Sequence, residues 1–492
     1  MSNKPVTKKS DTVWSPVVKI VAAVCALVLI ASVALAVVAK NGYFRRNTVV
    51  MTVGDTEVTA LEYNYAYYSA LNTFYSQYYY YASYIGFDLS SPLKGQACYF
   101  DSSMSWYDYF ISQAKIQLEE VYLLYNKAVA AGKGELSEES QKELDETFKD
   151  LEEAAEEEGM KLNKYIQAMY GPNITFEELK EYETRRAIAI DFYEAYMDDL
   201  KYEDPEIEEF YGKDKNTYDR VKYYSYTAKA DTTNNKSAKD VADDIKAAST
   251  NAETYLEALK ARENADTFKA ETYLTEGATY TEDDDTSEWL FDKDRKAGDV
   301  TVIKKAATSS TSSDTYTVVC FLERGKETYN LATMRHILLS VEDLKDDSGA
   351  VIKDDKGNAQ TNDAEQKLAA EKLLKEWQDG AATVDSFAAL VKDNSDDEGS
   401  VDNGGLYEDF DQSTMVDEIT DWIWAEGRKE GDCEIVKTTY GYHIVYFVGY
   451  GELKWKSDVV EDMKSKDYED YLKDLRVEYP MTFNNKGLSQ VG

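Results

Sequence analysis

The sequence predicts an α+β protein: a membrane helix, an all-helical domain, two copies of one small α/β domain and a C-terminal helix. Three observations lead to this prediction. An apolar run covers residues 20–39, helical spacing of apolar residues dominates up to about residue 200, and a sequence repeat occupies the second half. The 492 residues suffice for several domains, and 43% apolar residues can fill their cores.

Residues 17–39 are predicted to be a transmembrane anchor. The run Ile20–Ala39 is long enough to cross ~30 Å of hydrocarbon as a helix. Its flanking charges favour residues 1–16 as a cytoplasmic tail, because four lysines precede it and Lys40, Arg45 and Arg46 follow. The rest of the chain would then lie outside the cell membrane. A cleaved signal peptide ending at Val37-Val38-Ala39 remains the alternative.

Residues 47–218 are predicted to form a helical domain. Residues 49–58 read as two short strands around a Gly54-Asp55 turn, and Thr59 then caps a helix with Glu62 three positions later. Helical patterns follow at about 106–131, 137–158 and 176–200, so this part is expected to be all-helical apart from its hairpin. Residues 453–492, with an acidic helix at about 456–477, are expected to pack on the same domain.

Tyrosine and charge point to polypeptide partners. A net charge of -38 leaves no basic stripe for phosphates, which argues against nucleic acid. The chain has 40 tyrosines, whose flat rings with polar tips suit contacts with other polypeptides. About half are expected in ordinary core packing. The remainder, including Tyr78–Tyr81, could line an exposed groove for unfolded segments.

A repeat divides the second half into residues 219–327 and 328–452. Asp421–Asp432 aligns without a gap against Glu288–Asp299, with Trp, Arg, Lys, Gly and Asp at equal spacing. Each copy reads as a strand, two helices, a short helix and two strands. In the second copy these are residues 336–341, 363–379, 384–393, 415–424, 433–437 and 442–448, with a polar, flexible flap predicted between residues 342 and 363.

The only two histidines of the chain, His336 and His443, lie in short apolar runs of the second copy. These runs are predicted to be neighbouring strands of one sheet. Aligning residues 222–225 with 335–338, and 316–321 with 442–447, places Tyr223 and Thr317 at the corresponding positions of the first copy. Whatever the imidazoles do, only the second copy can do it. The first copy is a scaffold or a binding module.

Several segments of the second copy resemble the parvulin peptidyl-prolyl isomerases. They are Arg335–Ser340, the loop Ser395–Ser400, Gly404-Gly405, Phe410, Met415 and the closing Gly441–Phe447. Together with the helical region and the final helix, the extracytoplasmic chain is similar to the SurA and PrsA foldases, among which a tandem pair with one degenerate copy also occurs. One departure is Tyr407, which stands where the family's turn carries a leucine.

The resemblance implies isomerisation of X-Pro bonds in unfolded secreted proteins, without a cofactor. It assigns catalysis to His336, Asp397 and His443, with the imidazoles hydrogen-bonded to each other and Asp397 near the substrate carbonyl. It assigns substrate binding to Tyr407, Phe410, Met415, Ile419 and Tyr440. The expected partners are proline-containing clients and, through residues 20–39, the membrane.

Alternatives remain at this stage. The histidine pair could be purely structural, and Asp397 could be a solvated loop carboxylate. A metal site of two histidines and one aspartate lacks supporting ligands. Cys320 and Cys433 could form a disulfide or remain buried thiols. The whole chain could also be a non-enzymatic holdase that uses both copies as binding modules.

Overall fold

The computed structural model describes residues 40–263, 266–309, 312–346 and 348–492. The predicted tail and anchor, residues 1–39, lie outside this part. None of the helices in the described ranges is long and apolar enough to span a bilayer. The chain divides into two compact units: unit 1 comprises the residues up to Lys201 with Lys464–Gly492, and unit 2 comprises Tyr202–Met463.

Unit 1 is a helical bundle with a small sheet. Its elements are α1 (Tyr43–Asn47), β1 (Val49–Val53), β2 (Thr56–Thr59), α2 (Ala60–Tyr78), short 3₁₀ turns at Tyr79–Tyr81 and Leu93–Gly95, α3 (Trp106–Ala130), α4 (Glu138–Glu157), α5 (Leu162–Tyr170) and α6 (Phe176–Asp199). The predicted hairpin and helices are confirmed. The expectation of a single hairpin is wrong, because a C-terminal strand pairs antiparallel with β1, for example Phe483 with Met51.

The start of α2 differs from a simple capping box. The Thr59 hydroxyl accepts a hydrogen bond from the Glu62 backbone N–H, as the sequence predicts. The Glu62 side chain, however, is buried and accepts a hydrogen bond from the Tyr122 hydroxyl, with Arg185 Nη1 3.5 Å away. Burial is the main reason why the pKa of Glu62 rises to about 7.

The tyrosines of unit 1 divide between core and surface. Tyr63 and Tyr122 are fully buried, and Tyr78 stacks on Phe74 with ring centroids 4.7 Å apart. Four neighbouring rings are instead largely exposed, with Tyr80 at 85%: they are Tyr79, Tyr80, Tyr81 and Tyr84. We call these four residues the exposed tyrosine cluster.

Unit 2 begins with two short helices and continues with the two copies. The first part contains α7 (Asp204–Lys213) and α8 (Lys215–Tyr218). The first copy contains β3 (Arg220–Thr227), α9 (Ala238–Ala248), α10 (Ala252–Lys260), a 3₁₀ turn at Ala270–Tyr273, β4 (Leu274–Ala278), α11 (Asp285–Leu290), β5 (Val300–Lys305) and β6 (Thr315–Gly325). The second copy contains β7 (Asn330–Ser340), α12 (Asp363–Asp379), α13 (Val384–Asn394), β8 (Leu406–Phe410), α14 (Asp417–Ile423), β9 (Cys433–Lys437) and β10 (Gly441–Leu453).

The last elements of the chain return to unit 1, which contains Lys464–Gly492. Helix α15 (Lys454–Glu478) leads to β11 (Met481–Phe483) and a 3₁₀ turn at Gly487–Gln490. Within unit 1, the Tyr468 hydroxyl donates to Glu120 at 2.5 Å, and the ring of Tyr471 stacks on Tyr196 with centroids 4.3 Å apart. The C-terminal residues therefore pack in the helical unit.

The two sheets of unit 2 have the same topology. Their strand orders are β4-β3-β6-β5 and β8-β7-β10-β9. Helices α12 and α13 cover one face of the second sheet through Trp377, Phe387 and their neighbours. The other face packs against α14, with Met334, Phe447 and Ile423 in one apolar cluster. Strands β4 and β8 were not predicted; each is an edge strand.

The aligned repeat corresponds to one recurring set of contacts. The Arg428 guanidinium lies 3.5 Å from the Trp422 ring centroid, and its Nε donates to the Trp422 carbonyl at 2.9 Å. In the first copy, Arg295 lies 4.0 Å from the Trp289 ring and donates to its carbonyl at 3.1 Å. Each arginine also pairs with the aspartate four residues later. In both copies the arginine therefore links the short helix to the turn that follows it. We call this set of contacts the arginine clamp.

Strand register corrects one part of the alignment. His336 is paired with Val445 on β10, and His443 with Leu338 on β7. In the first copy, Thr317 pairs with Thr227, and Ser225 pairs with Val319. Because Val319 corresponds to Val445, the residue at the place of His336 is Ser225. The assignment of Tyr223 to that place is wrong by two residues, although Thr317 does correspond to His443.

Two further predictions concern the cysteines and the flap. Cys98, Cys320 and Cys433 are free thiols, and the last two belong to different sheets. Burial raises the pKa of Cys320 to about 11 and that of Cys433 to about 12, which makes both unreactive near neutral pH.

The predicted flap is an arm with three bridged residue pairs: Asp343 with Thr361, Lys345 with Val351, and Lys353 with Ala359.

Candidate active site

The two histidines lie side by side on the central strands of the second sheet. Their ring centroids are 5.3 Å apart with an angle of 17° between the planes, and the two Nδ1 atoms are 3.1 Å apart. Both side chains are buried. Strand alternation places His336 on the same face as Met334, which is the face opposite α12 and α13.

Asp397 reaches the pair from the loop that follows α13. Its Oδ2 atom is 2.7 Å from Nε2 of His336. The loop is fixed to β7 because the Ser395 hydroxyl accepts from the backbone N–H groups of Leu338 and Asp397, at 3.1 and 3.2 Å. A backbone hydrogen bond from Asp396 to the Leu338 carbonyl, 2.8 Å long, adds to this.

Gly405 allows the neighbouring turn to approach β7 closely. The His336 N–H donates to the Gly405 carbonyl at 2.9 Å. A Cβ atom at residue 405 would lie 2.3 Å from the His336 carbonyl oxygen, and its φ of +74° disfavours other residues. The turn therefore requires glycine at this position.

Three donors converge on one oxygen of Asp397. Besides His336, the hydroxyl groups of Ser400 and Tyr407 donate to Oδ2, the latter at 3.0 Å. Partial burial alone would raise the pKa of Asp397, but these hydrogen bonds outweigh it and lower the pKa to about 2. Asp397 is therefore a carboxylate near neutral pH, not an ordinary solvated loop residue.

The ionised Asp397 fixes the direction of a hydrogen-bond chain. A carboxylate only accepts, so Nε2 of His336 must donate to it, which leaves Nδ1 of His336 as an acceptor. Nδ1 of His443 then donates, and Nε2 of His443 accepts from the Thr438 hydroxyl 2.9 Å away. The Thr438 oxygen in turn accepts from the Tyr440 backbone N–H at 3.1 Å. Each ring nitrogen thus has a hydrogen-bond partner, and Nε2 of His336 also lies 3.4 Å from the Ser400 hydroxyl oxygen.

Both imidazoles are neutral near pH 7. Burial is the main cause that lowers the pKa of His336, against the opposing effect of Asp397. Burial and the neighbouring His336 ring lower the pKa of His443 to about 4. The centre therefore carries one negative charge, at Asp397.

The predicted substrate-binding residues lie around one apolar cluster. Tyr407, Phe410, Met415 and Ile419 pack together beside Met334. Phe410 and Ile419 are almost fully enclosed, at 6% and 1% exposure, whereas Tyr440 is 63% exposed. The Tyr407 ring also stands edge-on to His336, with centroids 5.3 Å apart. Tyr440 is linked to the histidines through its backbone contact with Thr438.

Ser400 and Thr438 belong to the site but were not predicted. Ser400 is buried three residues after Asp397, and Thr438 is buried two residues before Tyr440. Both hydroxyl groups complete the polar chain described above. Their sequence signal was only proximity to residues already chosen. In the described part of the chain, no cluster of three or more His, Cys, Asp or Glu could hold a metal ion.

Comparison with known families identifies the class of this domain. Residues 318–449 match the family model described as the PPIC-type PPIase domain. The match confirms the parvulin resemblance for this part of the chain. It contains His336, Asp397 and His443 together with every predicted substrate-binding residue.

Individual relatives are foldases. The chain is 37% identical over 99 residues to foldase protein PrsA 3 of Bacillus anthracis, covering 20% of this chain and 34% of that protein. It is 35% identical over 78 residues to foldase protein PrsA 1 of Listeria innocua, covering 16% and 26%. The matched stretch thus spans about a third or less of these relatives. The crystal structure of PrsA from Bacillus subtilis aligns with 89% of this chain and 96% of its own, at 14% identity and a TM-score of 0.30.

Proposed function

We propose that this chain is a membrane-anchored, extracytoplasmic foldase whose second copy catalyses cis/trans isomerisation of X-Pro bonds in unfolded clients. One observation carries the proposal. A carboxylate and two neutral, hydrogen-bonded imidazoles lie beside an apolar cluster, inside the segment that matches the PPIC-type PPIase domain. The anchor would be residues 17–39.

Isomerisation requires no covalent chemistry. Rotation about the X-Pro bond meets a barrier of ~18–20 kcal/mol because it interrupts amide resonance. Resonance places negative charge on the carbonyl oxygen of the planar amide, and the twisted amide has less of it. A fixed carboxylate near that oxygen disfavours the planar state more than the twisted state, which lowers the barrier. Asp397 is held in position for this role by three donors.

The imidazoles would act by holding this arrangement. Because both rings are buried and neutral, they add no positive charge that would offset Asp397. The proline ring would contact the exposed edge of the apolar cluster at Met415 and Tyr407, with Phe410 and Ile419 as its support. Tyr440 would contact the chain beside the proline. We therefore treat His336 and His443 as residues that fix the site's geometry.

The test is an isomerisation assay on the full chain, in which NMR exchange measures how fast a proline tetrapeptide interconverts between its cis and trans forms. Asp397→Ala and His443→Ala should each lose most of the acceleration. Thr317→Ala is the matched control, because Thr317 occupies the place of His443 in the other copy. If the wild-type chain does not accelerate exchange, the enzymatic proposal fails and a non-enzymatic holdase is the remaining function.

Client holding would reside in unit 1. The exposed tyrosine cluster is a contiguous set of uncovered rings in the chain, of the kind that contacts unfolded polypeptides. Substituting Tyr79, Tyr80, Tyr81 and Tyr84 by serine should weaken suppression of client aggregation and leave peptide isomerisation unchanged. Tyr78 is excluded from this set because it stacks on Phe74. Unchanged suppression would contradict the assignment.

A further inference from the structure

Arg335 binds the end of the loop that carries Asp397. We call residues 395–405 the Asp397 loop. Nη1 of Arg335 donates to the carbonyl oxygens of Asn403 and Gly404, each at 2.8 Å. Its Nε is buried and has no hydrogen-bond partner among the residues that the structure describes. Because side chains alternate along β7, Arg335 lies on the sheet face opposite His336, toward α13.

The turn at Gly404 fits tightly between Arg335 and α13. A Cβ atom at residue 404 would lie 2.9 Å from the Cβ of Ala388 and 2.9 Å from Nη1 of Arg335. The φ of Gly404 is +70°, which other residues rarely adopt. The two carbonyl groups are therefore held against the guanidinium by close packing as well as by hydrogen bonds.

The turn is connected to Asp397 through Ser400. The Gly405 N–H donates to the Ser400 carbonyl at 2.7 Å, and the Ser400 N–H donates to the Asp397 carbonyl at 3.2 Å. The Ser400 hydroxyl also donates to Oδ2 of Asp397. Ser395 fixes the start of the Asp397 loop to β7, and Arg335 fixes its end to the same strand. The strand that carries His336 thus also sets the position of the carboxylate.

The first copy has no arginine at the corresponding place. Since Ser225 takes the place of His336, the residue before it, Tyr224, takes the place of Arg335. The Tyr224 ring stacks on Tyr255, with centroids 6.1 Å apart and an angle of 15° between the planes. A phenol has a single donor and cannot hold two carbonyl groups. The arginine therefore occurs in the copy that has the histidines.

We propose that Arg335 is a positioning residue of the isomerase site, which sets the distance from Asp397 to His336 and to the substrate carbonyl without touching the substrate. The inference rests on the proposed isomerase function. The effect of a carboxylate on a carbonyl oxygen falls with distance, so a displaced Asp397 loop raises the barrier to rotation. Proline binding, assigned to the apolar cluster on the opposite sheet face, should change less.

The kinetic test uses the full chain and a proline tetrapeptide. Arg335→Met removes both hydrogen bonds and should lower kcat on the order of tenfold to a hundredfold, with little change in KM. Arg335→Lys keeps a donor near the carbonyl groups and should retain more of kcat than Arg335→Met. Arg295→Met is the matched control, because it removes an arginine clamp from the first copy and should affect stability but neither constant.

A second readout does not require catalysis. With ¹⁵N-labelled histidine, the ring signals of His336 report whether its Nε2 still donates to Asp397. In Arg335→Met the loop is released at one end, so the preference of His336 for a proton on Nε2 should fall. Arg335→Lys should show a smaller change, and Arg295→Met should leave the histidine signals unaltered. A residue that only adds stability would not shift these signals in the folded protein.

Gly404→Ala tests the same contact from the turn. The added methyl group would meet Nη1 of Arg335, so this variant should also lower kcat, and its effect should not add to that of Arg335→Met. Additive effects, an unchanged kcat, or unchanged His336 signals in folded Arg335→Met would each overturn the proposal. If Arg335→Met does not fold, Arg335→Lys and Gly404→Ala decide by the same measurements. A wild-type chain without isomerase activity would contradict the proposed function instead, and the histidine signals would still show whether Arg335 positions Asp397.

Discussion

The direction of the hydrogen-bond chain through the imidazoles gives a prediction that can be measured directly. Asp397→Asn keeps the shape of the side chain and removes the charge that fixes this direction. In the wild type, His336 should carry its proton on Nε2 and His443 on Nδ1. An asparagine amide can accept or donate, so the variant can also hold the chain in the reverse direction.

The magnitude follows from the contacts at Asp397. Reversal in the wild type would point the bare Nε2 of His336 at a carboxylate oxygen 2.7 Å away and lose a charge-assisted hydrogen bond. Such a bond contributes about 1.5–3 kcal/mol, which corresponds to a preference on the order of tenfold to a hundredfold. The predicted tautomer should therefore make up at least about 90% of the wild type, and this preference should weaken in Asp397→Asn.

The composition of the chain makes the assay simple. With two histidines, selective ¹⁵N-histidine labelling gives four ring-nitrogen signals for the full chain. Thr438→Val is the control, because it removes the donor to His443 and leaves Asp397 to set the direction. A bare Nε2 on His336, or a charged imidazole near pH 7, would refute the reasoning. So would identical tautomer populations in the wild type and in Asp397→Asn.

Three further predictions concern stability, measured as urea midpoints. Tyr407→Phe removes one donor to Asp397, so above about pH 4 it should destabilise the chain by about 1 kcal/mol. Because the folded pKa of Asp397 is lowered to about 2 from 3.8, this difference should narrow as pH falls through that window; a constant difference would contradict the contact. Relative to the wild type, Glu62→Gln should be more stable at pH 8 than at pH 5. The folded pKa of Glu62 is raised to about 7 from 4.5, so the stability that the protonated Glu62 contributes to the wild type is lost as pH rises through 7. The full shift corresponds to about 3 kcal/mol, and parallel curves for the two proteins would exclude it. Arg428→Met and Arg295→Met should each cost about 1–2 kcal/mol, since each guanidinium stacks on a tryptophan and binds its carbonyl; an effect in only one copy would show that the clamps are not equivalent.

The sequence predicted the contact between the two histidines and Asp397 better than the residues around them. His336 and His443 were recognisable because the chain has only two histidines, each in an apolar strand. Strand β8 was missed because Glu408 and Asp409 interrupt its apolar alternation, as an exposed edge strand permits. The buried hydroxyl of Ser400 could not be predicted either, because its role depends on the fold of the loop around Asp397.

The alignment error shows where sequence comparison between the copies fails. The segment around Trp422 aligned correctly because its arginine clamp constrains several residues at fixed spacing. The first strands share only a tendency toward apolar residues, and a one-strand match can slide by two positions without changing which side chains face inward. Pairing with the neighbouring strand fixed the register, and sequence alone does not contain that information.

That register also determines how the histidine pair could be introduced into the first copy. A design based on sequence alone would introduce a histidine at Tyr223, two positions from the ring it must touch. Ser225→His with Thr317→His places both imidazoles on paired strands, as in the second copy. Strand pairing places Ala278 where the second copy has Phe410, so the support behind the proposed proline contact would have to be restored as well. The duplicated domain thus offers a scaffold for a chain with two isomerase sites, provided that the apolar support is restored together with the two imidazoles.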